Sequence, residues 1–308
     1  MITPEELKAL PDDLVALYEK LEDDLLYDIS SSIAKNGAIT ETTRDRIESA
    51  FELGIDIKER VKELNDISDK EIERLFEDLA IKNMETDNEI YELAGLNPKS
   101  FKESPNVMQY VAAVINKTKG DLYNITGTLG FTRYKNGASF VGLKDAYREA
   151  ANFANIKLSS GAYNYNQIIR QAVIELADSG IRFVDYDSGV TRHIDVAVRT
   201  SLMTSSAQMS GEISLMNAYD VGCDLMEITA HAGARPTHHI WQGKIVSLSG
   251  RRGYLSLDDI GYGDVTGFQG ANCRHSWFPY FEGISKPAYT RDRLRNIDPP
   301  PFYYEGKK

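Results

Sequence analysis

Cysteine is scarce in this chain of 308 residues: there are two, Cys223 and Cys273. Thiols so far apart in sequence make no disulfide framework, so a reducing site of synthesis is the expectation. Tryptophan also occurs twice, and proline ten times. No stretch approaches the ~20 uninterrupted apolar residues that cross a bilayer. Met1-Ile2-Thr3-Pro4-Glu5-Glu6 lacks the basic start and apolar core of a signal peptide. A soluble chain made in the cytoplasm, with no membrane partner, is expected. What is present suffices for a core: 42% of the residues are hydrophobic and 10% aromatic, which excludes general disorder. The length accommodates two globular pieces at roughly 100–200 residues each.

The net charge of −11 is unevenly placed. Residues 1–100 hold 12 basic and 26 acidic side chains, net −14, whereas residues 101–308 hold 23 and 20, net +3. Free DNA would be repelled by the acidic third, because affinity for a duplex comes largely from Lys and Arg displacing counterions. No zinc-finger spacing or basic helix points to sequence-directed DNA binding. Two readings of the acidity remain: the solvated face of helices, or an arm that docks on a basic protein surface.

Residues 1–100 read as an acidic helical region. From Asp12 to Ile29 the apolar positions Leu14, Leu17, Tyr18, Leu21, Leu25 and Ile29 follow the 3.6-residue period. Ile47, Ala50 and Phe51 repeat it from Thr43 to Leu53, with Gly54 as a C-terminal stop. Ile57, Val61 and Leu64 predict a third short helix. Ser68-Asp69-Lys70-Glu71 reads as a capping box opening a fourth, with Ile72, Leu75, Phe76 and Leu79 on one face. Residues 101–220 read as a helical middle region. Helices are predicted after Ser104-Pro105, over Phe140–Ala154, over Tyr163–Asp178 before Ser179-Gly180, and over Ile194–Ala218. Ile181–Tyr186 reads as a short strand, turned by Asp187-Ser188-Gly189. After Gly222 the texture changes. Strand-like runs at Leu225–Thr229 and Lys244–Leu248 predict a small α+β, loop-rich module over 221–308, with a flexible tail beyond Pro299-Pro300-Pro301. The predicted fold class is mainly α with this α+β C-terminal module.

Four of the five histidines and both cysteines fall in that last segment: Cys223, His231, His238, His239, Cys273 and His275. Cys and His are the usual zinc ligands, and Cys223, His231, His238, Cys273 and His275 are the candidates. Their spacing fits no standard Cys-x₂-Cys or His-x₃₋₅-His pair, so no metal or other cofactor is expected; a zinc-stapled interaction module is the alternative. His231 or His238 as general base, with Arg235 or Arg274 on a phosphate, would suit a nuclease. No nucleophile elbow, phosphate loop or paired-carboxylate motif supports it. The remaining reading is structural. His231, Arg235, His238, Trp241, Gln242, Asn272, Cys273, Arg274 and His275 knit two loops together, polar side chains satisfying a buried backbone and Trp241 adding apolar area.

These residues carry a resemblance. Glu227-Ile228-Thr229-Ala230-His231 through Trp241-Gln242-Gly243-Lys244, Asn272-Cys273-Arg274-His275 and Pro279–Ser285 closely resemble the phage minor capsid protein 2 family of tailed bacteriophages and prophages. Thr3-Pro4-Glu5-Glu6-Leu7 with Leu10-Pro11, and Val184–Gly189, resemble the same family, so the likeness covers nearly the whole chain. The family is similar in turn to Mu F-like head-morphogenesis proteins, whose C-terminal module ends in Asn-Cys-Arg-Cys. Here His275 stands at the last position, and Arg235-Pro236-Thr237-His238 stands where the relatives carry Cys. The resemblance implies no catalytic residue. It implies a few-copy internal head component and no enzyme. That component would associate with the portal protein, and with major capsid or scaffolding protein, during assembly, assisting DNA packaging or delivery. Genomic DNA would be met only indirectly. The implied location is the head interior or portal vertex, with the host cytoplasm as the site of assembly.

Overall fold

Helix dominates the computed structural model, which describes residues 3–37, 43–133, 139–150, 176–184 and 190–298, with positions 167, 170, 171 and 174. Helices α1 (Pro4–Ala9), α2 (Asp12–Gly37), α3 (Thr43–Leu93) and α4 (Pro105–Gly127) come first, followed by strands β1 (Leu129–Arg133) and β2 (Ser139–Gly142). Strands β3 (Arg182–Val184) and β4 (Thr191–His193) lead into helix α5 (Ile194–Val221). Strands β5 (Leu225–Ile228), β6 (Ile245–Ser247) and β7 (Trp277–Pro279) and the short helix α6 (Arg291–Arg295) complete the order. The mainly α architecture with a small α+β C-terminal module is therefore present. Of the expected Tyr163–Asp178 helix only scattered positions are described; the turn at 187–189 and the triple-proline tail lie outside the described residues.

Helix α2 follows its sequence pattern, with Leu14, Tyr18, Leu21, Leu25 and Ile29 all buried. Helix α3 does not. The three helices predicted between Thr43 and Leu79 are one continuous helix of 51 residues. Gly54 is helical and stops nothing, and the Ser68–Glu71 capping box lies in the helix interior. The reason is tertiary. Leu64, Ser68, Ile72, Phe76, Ala80, Met84, Asp87 and Tyr91 form one buried stripe at helical spacing. Burial of that stripe outweighs the ~1 kcal/mol that one glycine costs a helix. Ser68 occupies a stripe position and so cannot cap. The expected helix over Phe140–Ala154 is also corrected. Phe140 and Val141 pair with Thr132 and Phe131 in a hairpin, and helix runs only from 143 to 150 among the described residues.

The chain forms two compact units. One comprises Asp12–Glu71 and Lys119–Ser201, the other Met1–Pro11, Ile72–Thr118 and Leu202–Lys308. Helices α3, α4 and α5 each contribute residues to both. The former unit carries an antiparallel sheet of order β2-β1-β3-β4, with Gly130↔Gly142, Leu129↔Phe183 and Arg182↔His193 in register. Gly130 is required there, because a Cβ would come 2.3 Å from the Val141 carbonyl oxygen. Arg60 on α3 pairs with Asp28 at 2.8 Å and Asp24 at 3.5 Å on α2. The Glu22 carboxylate accepts from the Ile181 N–H at 2.7 Å.

The latter unit contains the segment after Gly222. Thr3 and Glu6 form a reciprocal capping box on α1, the Thr3 side chain accepting from the Glu6 N–H at 3.1 Å and the Glu6 carboxylate from the Thr3 N–H at 2.8 Å. At the centre is α5 from Leu202 onward, buried on nearly every side up to Ala218. Two of its buried serines, Ser210 and Ser214, find polar partners, whereas the buried hydroxyl of Ser206 has none. Asn83 Nδ2 donates to the Ser210 carbonyl at 3.1 Å and to Ser214 Oγ at 2.9 Å, and Ser210 Oγ returns a bond to Asn83 Oδ1 at 2.9 Å. Ser214 Oγ donates to Asp87 at 2.5 Å. The sheet of order β6-β5-β7 packs on this helix through Met226, Ile228, Val246 and Trp277. Trp277 Nε1 donates to the Gly211 carbonyl at 2.9 Å.

Asp87 is fully buried, and one of its oxygens has no partner. Burial pushes its carboxyl up to about 7, against the stabilising Ser214 hydroxyl. Between about pH 4 and pH 7 the folded chain holds a proton that the unfolded chain has released, so Asp87 makes stability fall as pH rises through that window. In Asp87→Asn this contribution is removed. The difference in melting temperature, variant minus wild type, is expected to grow from pH 4 to about pH 7 and then level off; a difference independent of pH would show that Asp87 is ionised in the fold.

Candidate functional site

Antiparallel pairing of β5 with β7 builds the site. The register Ile228↔Trp277 places the loop that leaves β5 beside the loop that enters β7. Two further bonds extend the pairing: the Thr229 N–H donates to the Ser276 carbonyl at 2.8 Å, and the Ser276 N–H to Thr229 Oγ1 at 2.9 Å. His231 and His275 thereby meet, ring centroids 4.3 Å apart. The first loop then coils through consecutive turns, with His238 N–H donating to the Arg235 carbonyl at 2.8 Å and Gln242 N–H to the His238 carbonyl at 3.0 Å. Those turns bring His238, Trp241 and Gln242 inward. Trp241 packs against His238, His275 and Phe268, at centroid distances of 4.5, 4.7 and 5.7 Å.

Burial is nearly complete: His231 is 6% exposed, His238 and Cys273 2%, and His275 0%. Cys273 Sγ lies 3.5 Å from His275 Nδ1 and 4.0 Å from His238 Nδ1. The far nitrogens of both rings have oxygen partners, the Thr266 carbonyl 2.9 Å from His238 Nε2 and Gln242 Oε1 3.2 Å from His275 Nε2. Gln242 Oε1 also accepts from the His231 N–H at 3.3 Å. Burial, with the neighbouring cationic groups, lowers the imidazolium of His275 to about 2 and that of His231 and His238 below the usual value. Burial raises the Cys273 thiol. The three rings are therefore neutral at physiological pH.

The arginines are tied into the loops. The Arg235 guanidinium donates to the Ala271 carbonyl, and Arg274 reaches the Ala232 carbonyl at 3.4 Å and His231 Nδ1 at 3.2 Å. Asn272 is exposed and adopts φ 58°, a left-handed position that Asn tolerates; its N–H donates to Thr204 Oγ1 at 3.4 Å. Cys223 shares the apolar core with Cys273 but is not grouped with His238 and His275, and its thiol donates to the Leu225 carbonyl at 3.4 Å. Of the nine residues singled out in the sequence, eight converge through these contacts, whereas Asn272 reaches the Thr204 hydroxyl through its backbone N–H. Thr266, Thr229 and Ser276, which complete the polar scheme, were not anticipated: Thr229 was read only as the end of a strand-like run, and no motif singles out Thr266 or Ser276. Glu227 was likewise passed over as a strand residue. It is fully buried and one of its oxygens accepts from the N–H groups of Ala288 and Tyr289 at 2.8 and 3.2 Å.

A separate groove of about 490 Å³ opens on the same unit, lined by Tyr110, Glu212, Tyr262, Val265 and Gln269 among others, and contains none of the histidines. Among the described residues no helix is long and apolar enough to cross a membrane.

The sequence matches the family described as Phage minor capsid protein 2 over residues 2–307. It is also similar to a curated protein called "Structural protein" from Lactococcus phage LL-H, 23% identical over 146 residues. That match covers 45% of this chain and 39% of the relative, so the chain spans well under half of that protein's length. No solved structure matches the chain. Both likenesses are to structural components of phage particles, and with nearly every residue inside the family match, this chain belongs to the phage minor capsid protein 2 family.

Proposed function

We propose that the protein is a few-copy component of a tailed-phage head that binds near the portal and assists assembly and DNA packaging or delivery, with no catalytic turnover. The family match carries this reading. Burial of the C-terminal histidines supports the absence of turnover, because a general base must reach the proton it takes from substrate. Their contacts run to loop carbonyls and to one another, as in a module that is braced. The acidity of residues 1–100 supports a protein partner over free DNA.

Co-expression with the portal, scaffolding and major capsid proteins of the same phage, followed by imaging and by co-sedimentation with portal, tests the reading. Co-purification with portal rings is expected, and its failure in both assays would overturn it. The acidic face of α2 supplies the sharper version. Asp24 is committed to Arg60, whereas Glu19 and Asp23 are exposed. Charge reversal of both, Glu19→Lys with Asp23→Lys, is expected to weaken portal association several-fold at low salt and much less at high salt, where exposed charges are screened. Co-sedimentation unchanged at low salt would remove α2 from the contact.

A further inference from the structure

The loops around Cys273 leave a hydrogen-bonding deficit that points to a ligand. With an oxygen acceptor on each Nε2, both His238 and His275 carry their proton there, so each Nδ1 presents a bare lone pair. Both lone pairs face one sulfur, at 4.0 and 3.5 Å. A thiol has a single hydrogen and can satisfy only one of them. The other would be a buried unpaired acceptor, which is unfavourable wherever water is excluded. Trp241 walls both rings, so solvent does not relieve it.

We propose that His238, Cys273 and His275 form a zinc site, with Nδ1 of the two histidines and the Cys273 thiolate as ligands. One donor atom from each residue lies within 4.8 Å of the others. Tetrahedral zinc with bonds of about 2.3 Å to sulfur and 2.0–2.1 Å to nitrogen separates its S and N ligands by about 3.6 Å. The Cys273–His275 and Cys273–His238 spacings are within a few tenths of that. The Thr266 carbonyl and Gln242 Oε1 then have a further use: each orients a ligating ring from behind, the usual outer partner of a metal-bound histidine. A thiolate with two imidazoles is a donor set suited to zinc and unsuited to magnesium or calcium. Binding releases the thiol proton to solvent as the Zn–S bond forms. Cys223 and His231 are not ligands in this assignment. It is independent of whether the protein contacts a portal.

The test uses the full chain, produced without a histidine tag and dialysed against buffer containing micromolar zinc and then none. About one equivalent of bound zinc per chain is expected by elemental analysis, falling below about a tenth in Cys273→Ser and unchanged in Cys223→Ser. Cobalt(II) loaded in place of zinc should give intense visible bands of a tetrahedral site and a near-ultraviolet thiolate-to-cobalt band that Cys273→Ser abolishes. Folded wild-type protein with less than about a tenth of an equivalent of zinc, and no thiolate-to-cobalt band, would overturn the proposal whether or not any variant folds. So would a charge-transfer band that survives in Cys273→Ser.

Discussion

Trp241→Ala is expected to unfold the C-terminal segment. The ring is 3% exposed and touches His238, His275 and Phe268, so truncation removes a wall shared by both loops. Deleting a buried tryptophan costs about 3–5 kcal/mol, because the apolar surface returned to water is joined by a cavity that the surroundings fill only in part. For a unit of this size that amounts to a fall in melting temperature on the order of 10 °C. Near-ultraviolet circular dichroism should weaken well below the wild-type transition. A melting curve superimposable on wild type would mean that Trp241 lies on the surface of the fold in solution.

Gly267→Ala is expected to destabilise the same unit by the opposite route, overpacking. A Cβ at Gly267 would sit 1.9 Å from the Gly261 carbonyl oxygen and 2.6 Å from its carbon, and both neighbours are backbone that cannot rotate away. That loop is closed by Phe268 N–H on the Ile260 carbonyl at 2.9 Å and Ala271 N–H on the Val265 carbonyl at 2.9 Å. It aims Phe268 into the core and the Thr266 carbonyl at His238. Opening it by the ångström or more that alanine demands should forfeit both contacts, at about 1–3 kcal/mol or more. Gly120→Ala is the control: it is helical with open space around it, and should be neutral or raise stability by up to about 1 kcal/mol. Equal denaturation midpoints for Gly267→Ala and wild type would contradict the close approach.

Much of this was legible in the sequence where the signal is periodic. The α2 stripe follows from spacing, the strands at 225 and 245 from short β-branched and apolar runs, and the helix expected over Ile194–Ala218 is present as α5. Punctuation was the weaker guide. Gly54 and the box at Ser68 are sound local signals for ending and opening helices, yet α3 continues through both, and Ser68 lies in the buried stripe that begins at Leu64, where local preferences of about 1 kcal/mol yield to packing. The hairpin at Phe140 was hidden for a related reason: its apolar spacing suits either period over so few residues. In the site, composition alone picked out the histidines, cysteines and arginines, but not which of them meet. His238 and Cys273 are 35 positions apart, and no spacing rule reaches that far. The β5–β7 register brings them together, and it is a property of the sheet. Cys223 looked equivalent to Cys273 in the sequence; both lie in one core, and only the fold shows that Cys273 alone of the two faces His238 and His275.

The partners of Asn83 and Asp87 have a consequence for biosynthesis. Asn83 bonds to Ser210 and Ser214, 127 and 131 residues downstream. A ribosome adds about 5–20 residues per second, so the half of α3 bearing Phe76, Asn83, Met84, Asp87 and Tyr91 waits on the order of ten seconds before its covering helix is made. Throughout that interval the nascent chain displays an apolar strip interrupted by polar groups that need each other. This half of α3 therefore cannot complete its packing until the helix bearing Ser210 and Ser214 has been made.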